Sequence, residues 1–189
     1  SFVVYPEFLE AHRQFYLSQV TALALHDVLS SYTEGISIKW PNDIYWNEKK
    51  ICGILIENDL SGHHIGRSIS GIGVNINQET FQSNAPNPVS LKQITGQEHE
   101  RYLILANIMR RLKEYYIFLQ TDSSDDAVNC ITERYARSLF RREGFHRYAD
   151  ADGEFLARLL CVEPDGRFIL EDQAGKVRGY LFKEVQYIL

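Results

Sequence analysis

The sequence predicts an α+β fold in which a mixed or antiparallel sheet packs against helices, with a small β-barrel at the C-terminal end. Apolar, β-branched runs at residues 36–40 and 51–57 are typical of strands. Longer segments at residues 7–31 and 98–120 repeat their apolar residues at helical spacing. From residue 154 onward, short alternating runs are separated by turn sequences, which is typical of a small all-β unit.

The first half of the chain is predicted to contain several strands and one long helix. Residues 1–5 form a short strand that Pro6 ends, and residues 7–31 form the helix. The strand at residues 36–40 is followed by a hairpin, because the polar run WNEKK separates two apolar runs. The turn sequence SGHH then leads into a further strand, IGRSISGIGVNIN.

The second half is predicted to be helical before the β-rich tail. Residues 79–97 are predicted to form a loop with a short helix around SLKQITG, and residues 98–120 a helix with one apolar side. A further helix continues to about residue 139. The composition then changes, so we place a boundary between a core domain, residues 1–142, and a small C-terminal domain, residues 143–189.

The composition is that of an ordinary soluble globular protein. Its 189 residues are 44% hydrophobic and 24% charged, and no apolar run approaches the ~18 residues of a membrane span. The net charge of −5 argues against a general nucleic-acid or anionic-membrane surface, since phosphate binding normally needs a basic face. The three cysteines and six histidines show no metal-ligand spacing. We therefore predict no protein-held metal, and cysteines that stay reduced in the cytoplasm.

The first candidate site is the sequence KWPND, which follows the second predicted strand. Pro41 has no N–H for a sheet and favours an extended Trp40, so the strand has to end here. Lys39 would then point from a rigid strand into whatever lies beyond its end. Asn42 and Asp43 are suited to hold the turn through side-chain bonds to the backbone. The alternative is an ordinary strand end whose lysine extends into solvent.

Two glycine-containing strands supply the other candidates. Gly53 interrupts the apolar run KKICGILIE, which costs stability unless a backbone or a ligand approaches closely. Lys50 precedes it, and a solvated turn lysine is the alternative there. In GIGVNIN, Gly71 and Gly73 lie on one face of the strand and leave a stripe on which a flat molecule fits. Asn75 continues that face with an amide, although two glycines also fit bulges in a crowded sheet.

In this order and spacing, KWPND, KKICGILIE and GIGVNIN resemble the catalytic core of the biotin protein ligases, within the biotin/lipoate ligase superfamily. The resemblance covers essentially the whole chain and implies a class II synthetase-like core, residues 1–142, followed by an SH3-like domain, residues 143–189. It implies that biotin and ATP give biotinyl-5′-AMP and pyrophosphate, after which biotin is transferred to a lysine of a carboxylase carrier domain. Mg²⁺ would accompany ATP, held largely by phosphates and water.

The resemblance also assigns roles to individual residues. Lys39 matches the essential lysine that contacts the biotin carboxylate and the α-phosphate, where a fixed ammonium offsets the repulsion of two anions. Asn75 matches an asparagine that reaches the adenylate phosphate, Lys50 a lysine near the nucleotide phosphates, and Asn42 an organiser of the lysine's turn in the ATP site. The backbone positions that line the biotin site are Gly53, Gly71 and Gly73.

The chain departs from the family pattern in its N-terminal part. The family's glycine- and arginine-rich adenylate-binding loop, and the residues that hold the biotin ureido ring, lie upstream of the strand with which this sequence starts. Ser1 in place of Met favours a fragment of a longer protein, and we expect the 189 residues alone to catalyse poorly. This chain carries no helix-turn-helix of its own, and we expect no nucleic-acid contact through it.

Two other functions stay open. A lipoate- or octanoate-handling ligase shares the fold and a similarly placed lysine, and a degenerate homologue would bind biotin without catalysis. The combination of KWPND, GIGVNIN and a barrel-like tail favours biotin. We expect a cytoplasmic protein with no membrane contact, and exposed strand edges in such a fold are compatible with a homodimer.

Overall fold

The computed structural model describes residues 1–82, 87–121 and 125–189, and within them the chain forms two antiparallel sheets and four α-helices. The predicted α+β class is confirmed. Part of the predicted loop, residues 83–86, and the segment before the fourth helix, residues 122–124, lie outside the described residues.

The first sheet is built mainly from three consecutive hairpins. Its strands are β1 (Phe2–Val4), β2 (Ile36–Lys39), β3 (Asp43–Trp46), β4 (Lys49–Ser61) and β5 (His64–Val74). They are ordered β1-β5-β4-β3-β2, and each neighbouring pair is antiparallel. Ile38, Ile44 and Cys52 point to the core and are buried. Because side chains alternate along a strand, Lys39 and its cross-strand partner Asp43 lie on the opposite face.

The inner face of this sheet packs on helix α1 (Phe15–Ser30). Leu23, Leu25 and Leu29 of α1 are fully buried, because helix α3 (Arg101–Thr121) covers the helix on another side. A helix that is apolar nearly all round is expected in such a central position. No described helix has both the length and the apolar character needed to cross a membrane.

Helix α1 begins at Phe15, whereas the sequence predicted a helix from residue 7. The preceding segment instead follows the turn between β4 and β5, where the N–H of Ala11 donates to the carbonyl of His63 at 2.9 Å. The prediction was wrong at this end because a tertiary contact satisfies the backbone there, so apolar spacing alone does not extend the helix.

The remaining helices form as predicted. Helix α2 (Leu91–Thr95) starts with a capping box between Ser90 and Gln93 and ends at Gly96, whose φ of 74° suits a residue without a Cβ. Helix α4 (Asp125–Arg137) follows α3 and also contacts α1.

The C-terminal tail forms the second sheet. Its strands are β6 (His146–Asp150), β7 (Gly153–Val162), β8 (Phe168–Asp172), β9 (Val177–Tyr180) and β10 (Gln186–Tyr187). They are ordered β10-β6-β7-β8-β9 and are antiparallel throughout. Five short antiparallel strands are compatible with the expected SH3-like tail. The division into domains at residues 142 and 143 stays a prediction.

The segment after α4 brings the second sheet to the end of β2. The N–H of Ile38 donates to the carbonyl of Ser138 at 2.7 Å, and the N–H of Phe140 donates to the carbonyl of Ile38 at 2.8 Å. The indole N–H of Trp40 also donates to the carbonyl of Gly166 at 2.9 Å. These bonds place the candidate lysine where the two sheets meet.

Candidate functional site

An open cleft of about 620 Å³ lies at the junction of the two sheets. Three of the predicted site residues line it, namely Lys39, Asn42 and Lys50. Tyr187 of β10 also lines it. The cleft therefore brings together side chains from β2, from the turn that follows it, from β4 and from the second sheet.

Lys39 reaches this cleft because of its position in β2. Ile38 is fully buried, so the next side chain points to the outer face of the sheet. The strand ends at Lys39, one residue before the predicted end, and the chain passes through a cis Trp40–Pro41 peptide bond before β3 begins. A lysine at the last position of a strand is held by sheet hydrogen bonds at its backbone while its side chain extends past the strand.

The ammonium of Lys39 contacts two aromatic rings. Its Nζ lies 5.1 Å from the ring centroid of Tyr45 and 4.8 Å from that of Tyr187. Both distances fall within the ~6 Å range of cation–π interactions. Tyr45 belongs to β3 and Tyr187 to β10, so each sheet supplies one ring.

The electrostatic surroundings leave the charge of Lys39 unneutralised. Burial lowers its pKa; the cations Lys50 and Arg141 act in the same direction, and Asp43 opposes them. Asp43 is itself engaged, because its Oδ2 lies 2.5 Å from Nζ of Lys50. Among the described residues no ion pair to Lys39 occurs. An anion that entered the cleft would therefore be favoured beside this ammonium.

The position of the Lys50 side chain depends on its ion pair and on a neighbouring glycine. Its side chain is 26% exposed and ion-paired, so it is not a freely solvated turn lysine. A Cβ at Gly53 would lie 3.1 Å from Cε and 3.2 Å from Nζ of Lys50. Gly53 therefore provides the space that the Lys50 side chain needs to reach Asp43, which is a physical reason for a glycine within this strand.

The predicted glycine stripe is present on the surface of the first sheet. Gly53 pairs directly with Gly73, and Gly71 pairs with Leu55, so all four residues share one face. A Cβ at Gly73 would meet no atom within 4 Å, and one at Gly71 would meet only Ser1 and Leu55 at 3.8 Å or more. The stripe is open, but Gly71 and Gly73 lie beside the cleft and do not line it.

The two predicted asparagines have different surroundings. The amide of Asn42 donates to the carbonyl of Ile54 at 3.2 Å and so ties the turn after β2 to β4. The amide of Asn75 donates to the carbonyl of Lys50 at 3.5 Å, at the long limit of a hydrogen bond. Asn75 follows β5 and does not line the cleft itself. The structure thus brings Asn42, but not Asn75, to Lys39.

Sequence reasoning missed the aromatic and basic neighbours of Lys39. Tyr45 lies six residues away on the same hairpin, and its alternation with buried Ile44 was a usable signal. Tyr187 and Arg141 come from the C-terminal part of the chain. No local pattern relates either of them to KWPND, because only the packing of the second sheet brings them there.

Residues 1–75 match the sequence profile of the biotin/lipoate A/B protein ligase family. The bifunctional ligase/repressor BirA of Bacillus spizizenii is 30% identical over 146 residues, which is 76% of this chain and 44% of that protein. BirA of Bacillus subtilis is 28% identical over 171 residues, covering 86% of this chain and 51% of its own length. The biotin–[acetyl-CoA-carboxylase] ligase of Paracoccus denitrificans is 39% identical over 87 residues, 42% of this chain and 36% of that enzyme.

The chain spans about half the length of the BirA relatives that it matches. Among solved structures, the biotin protein ligase from Aquifex aeolicus has a TM-score of 0.75 at 24% identity, covering 98% of this chain and 78% of that chain. The same ligase in complex with biotin and ATP has a TM-score of 0.75 at 22% identity, covering 99% of this chain and 77% of that chain. At these identities the structural likeness establishes the fold.

Proposed function

We propose that this chain, whose residues 1–75 match the biotin/lipoate A/B protein ligase family, belongs to that family and is part of an ATP-dependent biotin protein ligase. Its relatives include a protein named biotin–[acetyl-CoA-carboxylase] ligase, and its fold is that of a ligase solved with biotin and ATP. The observation that carries the proposal is the half-buried ammonium of Lys39, which lines a cleft and has no carboxylate partner among the described residues.

The proposed reaction has two steps. A carboxylate oxygen of biotin attacks the α-phosphorus of ATP, the bond to the bridging oxygen breaks, and pyrophosphate leaves. The amine of a carrier-domain lysine then attacks the acyl carbon of biotinyl-5′-AMP, an amide forms, AMP leaves and the amine loses its proton. Neither step needs a nucleophile from the ligase, since the substrates supply both.

What the first step needs is positive charge between two anions. In the proposal the Lys39 ammonium lies against the biotin carboxylate and the α-phosphate and stabilises the charge that builds up during transfer. The half-buried position of the ammonium strengthens such an interaction, because the local dielectric constant is lower than that of water. Few neutralising groups in the cleft compete with it. In the second step the same charge favours the departure of AMP.

The other predicted residues have supporting roles in the proposal. Lys50 lies near the nucleotide phosphates, held by Asp43, and Asn42 keeps the turn after β2 against β4. Asn75 reaches the adenylate phosphate from the end of β5. The glycine stripe, whose members are Gly53, Gly71 and Gly73, receives the bicyclic ring system of biotin on its open backbone face.

Mg²⁺ enters the proposal only as a companion of ATP. The described carboxylate of the cleft, Asp43, already binds Lys50. Its engagement does not suit it to be a metal ligand, so the ion would be held by phosphate oxygens and water. No step of the proposed mechanism depends on a protein ligand to the metal.

The proposal extends to the surroundings of the protein. The partner is a biotin carboxyl carrier domain, and this chain contacts neither nucleic acid nor membrane. The free cysteines Cys52, Cys130 and Cys161 support a reducing, cytoplasmic location. The edge strand β1 of the first sheet is where a homodimer would form, because the outer edge of β2 is already bonded to residues 138–140.

The experiment measures adenylate formation and carrier labelling with the full-length protein that contains this chain. Radiolabelled biotin and ATP should give biotinyl-AMP and a labelled carrier domain. Lys39→Ala should lower the rate on the order of 100- to 1,000-fold, the usual loss for a group that stabilises transition-state charge. Lys113→Ala, at an exposed position of α3, serves as the control and should leave the rate unchanged.

Parallel reactions with lipoate and octanoate separate the two ligase classes. Labelling with lipoate in preference to biotin would replace the biotin proposal by the lipoate alternative. Tight biotin binding without pyrophosphate release, or full carrier labelling by Lys39→Ala, would contradict the enzymatic role of this lysine.

A further inference from the structure

We propose that Tyr187 is a positioning residue for Lys39. The ring of Tyr187, together with that of Tyr45, fixes the Lys39 ammonium at the wall of the cleft. The inference deepens the proposed function and rests on it, because Lys39 is the group that faces the two anions. It also assigns a task in the site to the second sheet, which carries Tyr187 in β10.

The geometry of the contact is direct. Nζ of Lys39 lies 4.8 Å from the centroid of the Tyr187 ring and 5.1 Å from that of Tyr45. A lysine side chain has four carbons and many rotamers, so an unrestrained ammonium would spend little time in one position. Contact with two ring faces from different strands restricts those rotamers before any substrate arrives, which lowers the entropic cost of catalysis.

The Tyr187 ring is itself well fixed. Its centroid lies 5.1 Å from that of Tyr148, 5.8 Å from that of Phe168 and 5.9 Å from that of Phe140. Tyr148 and Phe168 belong to the second sheet, and Phe140 lies in the segment between α4 and β6. Displacing the ring would require repacking of buried neighbours, because Tyr148 and Phe168 are fully buried.

Backbone contacts hold the short strand β10 in register. Arg141 donates from Nη1 to the carbonyl of Ile188 at 2.9 Å, and the N–H of Ile188 donates to the carbonyl of Arg147 at 3.1 Å. Arg141 also pairs with Glu48 in the turn between β3 and β4 at 3.2 Å, and its own side chain is only 10% exposed. The position of Tyr187 is thus tied to both sheets.

Aromatic rings suit this task better than a carboxylate. A carboxylate would hold the lysine by accepting its N–H hydrogen bonds and would offset its charge. The anions of the reaction require both the N–H donors and the charge. A ring face attracts the cation through its quadrupole and brings neither an oxygen acceptor nor a negative charge. The pairing of Asp43 with Lys50 is consistent with this arrangement, since it keeps the available carboxylate away from Lys39.

Two substitutions at Tyr187 separate the ring from its hydroxyl. Tyr187→Phe keeps the π face, whereas Tyr187→Leu keeps the site apolar but removes that face. Tyr180→Leu is the matched control: this tyrosine is also buried in the second sheet, where it bonds Asp150 at 2.6 Å, but it does not contact Lys39. It reports the effect of loosening the second sheet alone.

The first readout is the titration of Lys39, followed by NMR of the full-length protein without substrate and assigned by its absence in Lys39→Met. With Tyr187→Leu the pKa of Lys39 should fall further below its usual value, because the ammonium loses a favourable contact while burial persists. Tyr187→Phe and Tyr180→Leu should leave the pKa of Lys39 unchanged.

The second readout is the pH profile of biotinyl-AMP formation. The ammonium form of Lys39 is lost as the pH rises through its pKa, so a lower pKa moves the alkaline limb to lower pH. Besides Tyr187, the ionisable groups near Lys39 include Asp43, Lys50, Arg141 and Tyr45, and Lys183 lines the same cleft. Apart from Tyr187, all of these groups are retained in the variants, and burial raises the pKa of Tyr45 to about 12. We also expect kcat to fall about tenfold with Tyr187→Leu, the loss of one desolvated cation–π contact.

The outcomes decide the inference separately from the proposed function. A lower Lys39 pKa and a shifted alkaline limb in Tyr187→Leu alone support it. An unchanged titration in Tyr187→Leu, or the same shift in Tyr180→Leu, overturns it. If the wild-type protein formed no biotinyl-AMP, the proposed function would fail, while the titration without substrate would still decide whether Tyr187 holds Lys39.

Discussion

The indole of Trp40, at the end of β2, stacks on the ring of Phe168 in β8, with the two centroids 4.8 Å apart and the planes inclined by 20°. The same indole donates its N–H to the carbonyl of Gly166. Trp40, the residue that follows the candidate lysine, thus joins the end of β2 to the second sheet. In the sequence KWPND, the lysine faces the cleft and the tryptophan fixes the wall behind it.

Substitution of Trp40 should therefore destabilise the fold in two measurable increments. Trp40→Phe keeps an aromatic ring but leaves the Gly166 carbonyl without its partner, which should cost about 1–2 kcal/mol. Trp40→Ala also removes the buried ring and should cost about 3–5 kcal/mol. Urea unfolding followed by circular dichroism measures both. The half-exposed Trp46→Phe should change stability little, and equal losses at the two tryptophans would contradict the assigned contacts.

The glycine stripe gives a prediction about ligand binding without a loss of stability. A Cβ at Gly73 would meet no atom within 4 Å, so Gly73→Ala should leave the free energy of unfolding nearly unchanged. The added methyl group would stand on the surface that the proposed biotin site uses. We expect weaker biotin binding by isothermal calorimetry, by about tenfold or more.

The control for this substitution is Ser61→Ala, at the exposed end of β4 and away from the stripe. It should change neither the free energy of unfolding nor the affinity for biotin. Unaltered biotin affinity in Gly73→Ala would contradict the assignment of the stripe to the biotin site.

A second glycine substitution should move a charged group, the ammonium of Lys50. Gly53→Ala would bring a Cβ to 3.1 Å from Cε of Lys50, so the flexible end of that lysine must move away from Asp43. Because only a side-chain end moves, the change in stability should be small. The apparent affinity for ATP should fall if Lys50 faces the phosphates. Lys49→Ala, at the exposed neighbouring position, should not alter ATP affinity, and an identical effect of the two variants would contradict the role given to Lys50.

An ion-pair cluster on α1 predicts the response to acid. Asp27 accepts bonds at 2.8 Å from Arg111, Tyr115 and Arg134. Burial alone would raise its pKa, but the hydrogen bonds from His26, Tyr115 and Arg111 and the charge of Arg134 outweigh burial, so the pKa of Asp27 lies well below its usual range.

A carboxylate with a lowered pKa stabilises the fold above its unfolded pKa of about 4, and that stability is lost as the pH falls toward the folded pKa. Asp27→Asn should therefore cost about 2 kcal/mol at neutral pH, and the difference from wild type should shrink below about pH 4. Chemical unfolding at several pH values measures this. Asp59→Asn, which removes an exposed pair with Arg67, should show little effect at any pH.

The residues that this chain contains predict a difference between its rate of biotinyl-AMP formation and that of the full-length protein. Described cations at the cleft are Lys39, Lys50 and Lys183, and Lys50 is already paired. The 189 residues contain no glycine- and arginine-rich stretch that would bind the rest of the nucleotide. We expect this chain alone to form biotinyl-AMP more slowly than the full-length protein. Equal rates in a pyrophosphate-release assay would show that these residues suffice.

Much of the fold follows from local pattern. The hairpin of β3 and β4 was predicted because the polar run WNEKK separates two apolar runs, and the end of β2 near Pro41 was predicted because proline has no N–H to donate. The start of α1 was not predicted, because the bond between Ala11 and His63 is a tertiary contact. Apolar spacing is the same whether a segment forms a helix or lies along a neighbouring turn.

In the candidate site, too, some residues were predicted from local sequence, whereas other contacts depend on tertiary structure. Lys39 and the glycine stripe were identified from sequence because each contradicts what folding alone would select at its position. The pairing of Lys50 with Asp43 requires the register of β3 and β4, including the bulge between Ile44 and Tyr45. That register depends on hydrogen bonds between strands, which a single sequence does not display.

The contact between Tyr187 and Lys39 has a consequence for protein synthesis. A ribosome that has completed the first sheet and its helices has made Lys39 and Tyr45, yet the lysine still has only one of its two aromatic neighbours. Until residue 187 has left the exit tunnel and β10 has joined β6, the nascent chain exposes an unfinished site. Assembly of the cleft therefore follows assembly of the first sheet, and a chain released before residue 187 would lack one of the two rings that contact Lys39.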